Sequence, residues 1–140
     1  MAHTAMSGSG TTADDDPPLQ TAVWRLRSRA CWTDAAALLE PQASADPAAA
    51  LQRTSLLTER CLYTGAGWTD AEDALRTAEA LAHDDIERGA AACERGYLAY
   101  ASTLLGARDR ADEASVALSR AAALLPRRRP AVRCWTSGGG

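Results

Sequence analysis

Residues 97–126 read YLAYASTLLGARDRADEASVALSRAAALLP. Two apolar-striped segments, 98–105 and 114–125, flank the polar joint Gly106-Ala107-Arg108-Asp109. Apolar residues recurring every three or four positions mark one buried face of a helix, so the spacing predicts two helices joined by a turn. Small residues stand where the two would cross closely, and Pro126, which cannot continue a helix, ends the second. Upstream, Trp32-Thr33-Asp34-Ala35 returns 36 residues later as Trp68-Thr69-Asp70-Ala71, and Ala114 follows Ala71 by 43. The chain reads as irregular repeats of one helical pair.

Leu98, Ala101, Ser102 and Leu105, followed by Ala114, Leu118, Ala121 and Pro126, fall at the spacings of a tetratricopeptide repeat, which this stretch resembles. It departs from that pattern at Leu98 (usually Trp), Ser102 (Gly), Leu105 (Tyr) and Leu118 (an aromatic). The resemblance implies an all-α fold of about three antiparallel helix–turn–helix hairpins, stacked as a short right-handed α-solenoid across residues 18–126. It also implies a non-catalytic scaffold for protein–protein interaction, whose concave face holds a partner's protein or peptide segment. Aligned on Ala35, Ala71 and Ala114, that face takes Gln20, Trp24 and Arg27 from the first unit. The second contributes Arg53, Leu56, Arg60 and Tyr63, and the third Ala99 and Thr103. Arginine beside exposed aromatics is the composition of binding hot spots. An acidic peptide or a C-terminal carboxylate would meet these arginines bidentately. The alternative reading is a regulatory or sensor segment of a larger signalling or transcriptional regulator, because such arrays often adjoin DNA-binding domains.

Six helices are expected, at about 18–30, 33–39, 48–63, 69–82, 85–105 and 111–125, with residues 41–47 as a joint. Thr33 and Thr69 are expected to cap their helices, Glu72 completing a capping box with Thr69. Asp70, Asp73, Asp112 and Glu113 are read as helix-start carboxylates favoured by the dipole. Asp84-Asp85-Ile86-Glu87 opens a long helix in the same way. Inside it, Gly89 and Gly96 each forfeit about 0.5–1 kcal/mol relative to Ala, and close approach of a neighbouring helix is the expected return. Leu38, Leu39, Leu57, Leu62, Leu75, Leu81, Leu104, Leu118 and Leu124 are expected to supply core bulk. No segment alternates with period two, so strands are not expected.

Composition narrows the function. The 140 residues make one domain, and 46% apolar with 24% charged residues is the balance of a folded chain. Lys, Asn and Phe are absent and Ile86 stands alone, a bias toward GC-rich codons that points to an actinobacterial source and weakens each Arg as evidence of a binding site. No apolar run approaches the roughly 18 residues that cross a bilayer. The N-terminus, MAHTAMSGSGTTADDDPP, lacks the basic start and apolar core of a secretory signal, so a cytoplasmic location is expected, with no membrane partner. Cys31, Cys61, Cys93 and Cys134 form no C-x-x-C pair and lie far from His3 and His83 at ligand spacing. The first three are read as small core hydrophobes, with no metal, cofactor or disulfide framework expected.

No nucleophile elbow, P-loop or zinc-protease motif is present, and Gly65-Ala66-Gly67 reads as a loop, so no catalytic residue is assigned. Asp14, Asp15 and Asp16 gather in a Ser-, Thr- and Gly-rich leader over residues 1–17, read as disordered. Arg127, Arg128, Arg129 and Arg133 fall in an irregular tail over 127–140, which leaves the body between acidic and ill-suited to nucleic acid. That tail, RRRPAVRCWTSGGG, resembles neither a repeat nor a solvating cap. A shifted reading frame could turn its end into Leu-Leu-Asp-Phe-Arg-Arg-Gly, the start of a further helix. The chain is then expected to be a fragment of a longer array, exposing Leu104, Val116, Leu124 and Leu125 to self-association.

Overall fold

Three aspartates open every second helix. Asp16 Oδ1 accepts from the Leu19 N–H at the start of α1 (Pro17–Ser28), and Asp46 Oδ1 from the Ala48 N–H at the start of α3 (Pro47–Thr64). Asp84 Oδ1 accepts from the Glu87 N–H of α5 (Asp85–Leu104), while the Glu87 carboxylate reaches back to the His83 N–H. Each satisfies a donor that the first turn leaves without an intrahelical partner. Pro17 and Pro47 follow directly, where a missing N–H removes nothing. The structure, a computed structural model, describes residues 16–126. Of the leader expected over residues 1–17, residues 1–15 lie outside the described residues, as do the 127–140 tail and Cys134, whereas Asp16 and Pro17 form the start of α1.

The same three helices are followed by a left-handed residue: Ala30 (φ 61°), Gly65 (φ 69°) and Gly106 (φ 69°). Glycine adopts this geometry freely, whereas an L side chain pays roughly 1–2 kcal/mol. Ala30→Gly is therefore expected to stabilise the chain by about 0.5–1 kcal/mol, after glycine's extra unfolded-state entropy is deducted. Urea unfolding measures this, and an unchanged midpoint would mean that Ala30 carries no strain.

Between these helices lie α2 (Trp32–Ala43), α4 (Trp68–Leu81) and α6 (Ala111–Leu124). The described residues are all-helical, with no strand. Each helix packs on the next in sequence, and α3 also packs on α5. Helix α5 runs antiparallel to α6, because Gly89 meets Leu125 and Gly96 meets Leu118. A Cβ at Gly96 would stand 2.6 Å from Leu118 Cγ, and one at Gly89 2.7 Å from Leu125 Cγ. The expected close approach is thus present at both glycines.

Gly96→Ala sets a helix-propensity gain of about 1 kcal/mol against overlap worth about 1–3 kcal/mol. A net loss near 1 kcal/mol is expected in the wild-type background. In a Leu118→Ala background the obstacle is gone, and the same change is expected to stabilise. A double-mutant cycle by chemical unfolding reads the reversal of sign directly.

Several local expectations are corrected. Helix α2 runs through Pro41 to Ala43 rather than stopping near 39. Pro41 lies on the exposed side, where its ring meets solvent and water can satisfy the carbonyl it leaves open. Leu39 and Ala43 meanwhile anchor the last turn in the core. Helices α2 and α4 begin at their tryptophans, with Cys31 and Gly67 as caps and no side-chain cap bond. Thr33 and Thr69 are therefore already inside the first turn, and the capping box of Thr69 and Glu72 is not formed. Asp109 Oδ1 does accept from the Ala111 N–H at the start of α6.

The core is built mainly of alanine. One cluster joins Val23, Ala35, Leu39, Ala43, Ala49, Ala50, Leu56 and Ala78; a second joins Ala36, Leu57, Cys61, Ala71, Ala74, Leu75 and Leu98. Small side chains let helix axes come close, so fewer leucines are needed between them. Leu39, Leu57 and Leu75 are buried as expected, but Leu38, Leu104 and Leu118 are substantially exposed. Of the cysteines, Cys61 is buried, Cys31 half-buried and Cys93 exposed, so the reading of Cys93 as a core residue does not hold. On the last pair, Leu104 and Val116 are exposed, whereas Leu124 and Leu125 are half-buried.

Candidate functional site

The spacing between α1 and α3 sets up one face of the molecule. Gln20 and Gln52 exchange side-chain amide hydrogen bonds of 3.0 and 2.8 Å. Seven residues further along both helices, Arg27 grips Glu59 with Nε at 3.1 Å and Nη2 at 2.7 Å. Seven residues are close to two helical turns, so both pairs fall on the same side of each helix. The common offset of 32 means that α1 and α3 run side by side in the same direction.

Glu59 also accepts from Trp32 Nε1 at 2.7 Å, and the Trp32 ring stacks on Tyr63 with centroids 5.7 Å apart and planes 8° off parallel. The Arg27 hydrogen bond, reinforced by Trp32, holds the Glu59 carboxyl below its usual range despite partial burial. Tyr63 is thereby buttressed on one ring face while remaining 71% exposed, and Trp24, one turn before Arg27, is 66% exposed. Helix α5 adds Tyr97. Burial raises its phenol, and the charges of Glu59, Tyr63 and Glu94 push it further in the same direction. Residues from α1, α3 and α5 thus share one electrostatic neighbourhood.

Glu94, one turn before Tyr97, is the least compensated group there. Its Oε1 is buried with no hydrogen-bond partner among the described residues, and burial alone lifts its carboxyl to about 7.

No family model, curated protein or solved structure matches the chain.

Of the nine residues expected on the binding face, Gln20 and Arg27 meet Gln52 and Glu59, Tyr63 joins Glu59 through Trp32, and Trp24 is exposed one turn before Arg27. Leu56 and Ala99 are core residues, buried to 2% and 0% exposure, and cannot touch a partner. Arg60 bridges the two Trp-Thr-Asp-Ala motifs: Nη1 donates to Thr33 Oγ1 at 3.0 Å and Nη2 to Asp70 Oδ2 at 3.3 Å. Its guanidinium also fills the space a Cβ at Gly67 would need. Thr103 donates to the Ala99 carbonyl and accepts from the Arg110 N–H, which fastens the turn between α5 and α6. Arg53 keeps a buried Nε without a hydrogen-bond partner among the described residues. The error is one of register: alignment on the alanines chose positions 53 and 60, whereas the helices pair Gln20 with Gln52 and Arg27 with Glu59. Opposite charges and matched amides at that constant offset were the available signal. Glu59, Trp32, Tyr97 and Glu94 were missed.

A second charged cluster ties α4, α5 and α6 together. Arg95 bonds Glu72 and Glu79 at 2.8 Å and Glu113 at 3.2 Å, while Arg110 bonds Glu72 at 3.2 Å and also pairs with Glu113. Partial burial opposes the ionised Glu72, but Arg95 and Arg110 outweigh it and hold the carboxyl below its usual range. Glu113 is lowered chiefly by its bond to Arg110. Glu72 and Glu113 are therefore ion-pair partners rather than simple helix-start acids. Such matched charges suit a structural tie better than proton transfer, which requires a group poised near the working pH.

Among the described residues no group of His, Cys, Asp and Glu could hold a metal ion, and no helix is long and apolar enough to cross a membrane.

Proposed function

We propose that this chain is a non-catalytic protein-interaction module of the tetratricopeptide-like kind. Its pairs α1–α2, α3–α4 and α5–α6 would stack as a short right-handed solenoid, and a partner segment would lie along α1, α3 and α5. The order of helix contacts, with each helix on its successor and α3 beside α5, supports that arrangement. So does the parallel offset that joins Gln20 to Gln52 and Arg27 to Glu59.

One observation carries the functional reading: large aromatic side chains stand exposed on a rigidly braced face. Tyr63 is stacked on Trp32, and Trp32 and Arg27 are both fastened to Glu59. Rigid aromatics give contact area at little entropic cost, the property that makes Tyr and Trp dominant in hot spots. The acidic partner expected from the arginines is less favoured, because Arg27 and Arg60 are already engaged within the chain.

Selection of short peptides from a displayed random library provides the test. Peptides enriched on the wild type are expected to bind the Trp24→Ala/Tyr63→Ala variant about tenfold or more weakly, with circular dichroism and melting temperature nearly unchanged. Equal binding by the variant would remove this face from the proposal.

A further inference from the structure

The hydrogen-bonding groups that the aromatic face leaves open indicate the conformation of what it would bind. Its polar pairs are satisfied internally: Arg27 and Trp32 fill the Glu59 carboxylate with three donated bonds, and Gln20 and Gln52 exchange their amides. The rings differ. Trp24, Tyr63 and Tyr97 are exposed, and neither the Trp24 Nε1–H nor the two hydroxyls have a hydrogen-bond partner among the described residues. Tyr97 lies near enough to Glu59 and Tyr63 to feel their charges, and Arg27 feels both tyrosines. An indole N–H only donates, and each phenol has a proton to give. The open surface is therefore a set of neighbouring aromatic planes, each with one donor at its edge.

Such a surface suits a ligand rich in unclaimed carbonyls. A helical segment has given its carbonyls to its own N–H groups, and an added strand requires a sheet edge, which the described residues lack. A proline-rich segment in the polyproline II form has no internal hydrogen bonds, and its proline nitrogens carry no hydrogen that needs an acceptor. Its rings dock in aromatic-lined grooves. The spacing fits as well: Tyr63 and Tyr97 stand on α3 and α5, which pack directly. Packed helix axes lie about 8–10 Å apart, and one polyproline II turn of three residues rises about 9 Å. We propose that this face binds a proline-rich segment of a partner protein with prolines three residues apart, one against Tyr63 and the next against Tyr97. The two hydroxyls donate to carbonyls of the segment, and Trp24 extends the track onto α1. This deepens the reading of α1, α3 and α5 as a peptide-binding surface and rests on it.

Two displayed libraries of short peptides, one with a fixed central Pro-x-x-Pro and the other with Ala-x-x-Ala, are selected on the folded chain. Enrichment is expected from the proline library. The enriched peptides should bind Tyr63→Phe/Tyr97→Phe about tenfold more weakly, because the rings stay and only the two donors go. Circular dichroism of that variant should match the wild type. Equal binding by the variant overturns the proposal. Equal or greater enrichment from the alanine library also overturns it, while leaving the surface as a peptide site. If neither library enriches, this proposal falls, and selection from a fully random library then decides whether the peptide-binding reading of the face falls with it.

Discussion

Glu94→Gln is expected to stabilise the chain by about 2–3 kcal/mol at pH 8 and to flatten its stability between pH 5 and 7. The carboxyl of Glu94 is lifted from 4.5 to about 7 in the folded state by burial. A carboxyl raised on folding binds a proton more tightly in the native chain than in the unfolded one. Its contribution is therefore unfavourable above the unfolded value: stability falls as pH rises from about 4.5 through 7, then levels. A tenfold change in proton affinity corresponds to about 1.4 kcal/mol, so the full effect is near 3 kcal/mol, from which the buried glutamine amide subtracts a part. Glu59, Glu72 and Glu113 act in the opposite sense. Their carboxyls are lowered in the folded chain, so they add stability above the usual carboxylate range that is lost as pH falls through their folded values. The wild type should thus be most stable at mildly acidic pH, between the two limbs. Urea unfolding at a series of pH values reads this out, and parallel profiles for wild type and Glu94→Gln from pH 5 to 8 would show that Glu94 is solvated or paired.

Leu98→Ala carries the other large effect, an expected loss of about 3–4 kcal/mol. Leu98 is fully buried on α5 and packs in the cluster built from α2, α3 and α4. Truncation leaves a void at the junction of four helices whose alanine neighbours have no side-chain length with which to fill it. For a domain of this size, such a loss is a large part of the whole stability. The control is Leu118→Ala, at a leucine 45% exposed, expected to cost under about 1 kcal/mol because little buried area is lost. Chemical unfolding should separate the two, and hydrogen exchange in Leu98→Ala should show α5 and α6 losing protection before α3. Similar losses for both leucines would mean that the packing of α5 is wrong.

The helices were legible because their causes are local. Apolar spacing, the Asp84 start, Pro17-Pro18 and the Gly106 turn each act within a few residues of chain, and the ends of five of the six helices fall within about two residues of their expected places. The sixth, α2, was cut short at Pro41, since whether a proline ends a helix depends on which side its ring faces. Gly89 and Gly96 likewise announced a close neighbour, because an interior glycine in a helix needs a compensating contact, and that neighbour is α6.

The face was only half legible. Trp24, Arg27 and Tyr63 could be chosen from their residue types, but Leu56 and Ala99 depended on a register that no local rule sets. The pairing of Arg27 with Glu59 across 32 residues decides that register. It also turns an apparent acid-binding arginine into an internal brace. Sequence alone determined that this chain forms helices, roughly where they begin and end, and that one pair must lie close at its glycines. Tertiary structure decided which leucines are buried, what Glu72 and Arg60 hold, and which carboxylate is left uncompensated. Burial and charge compensation depend on neighbours distant in the chain, whereas helix propensity and capping depend on neighbours within a turn.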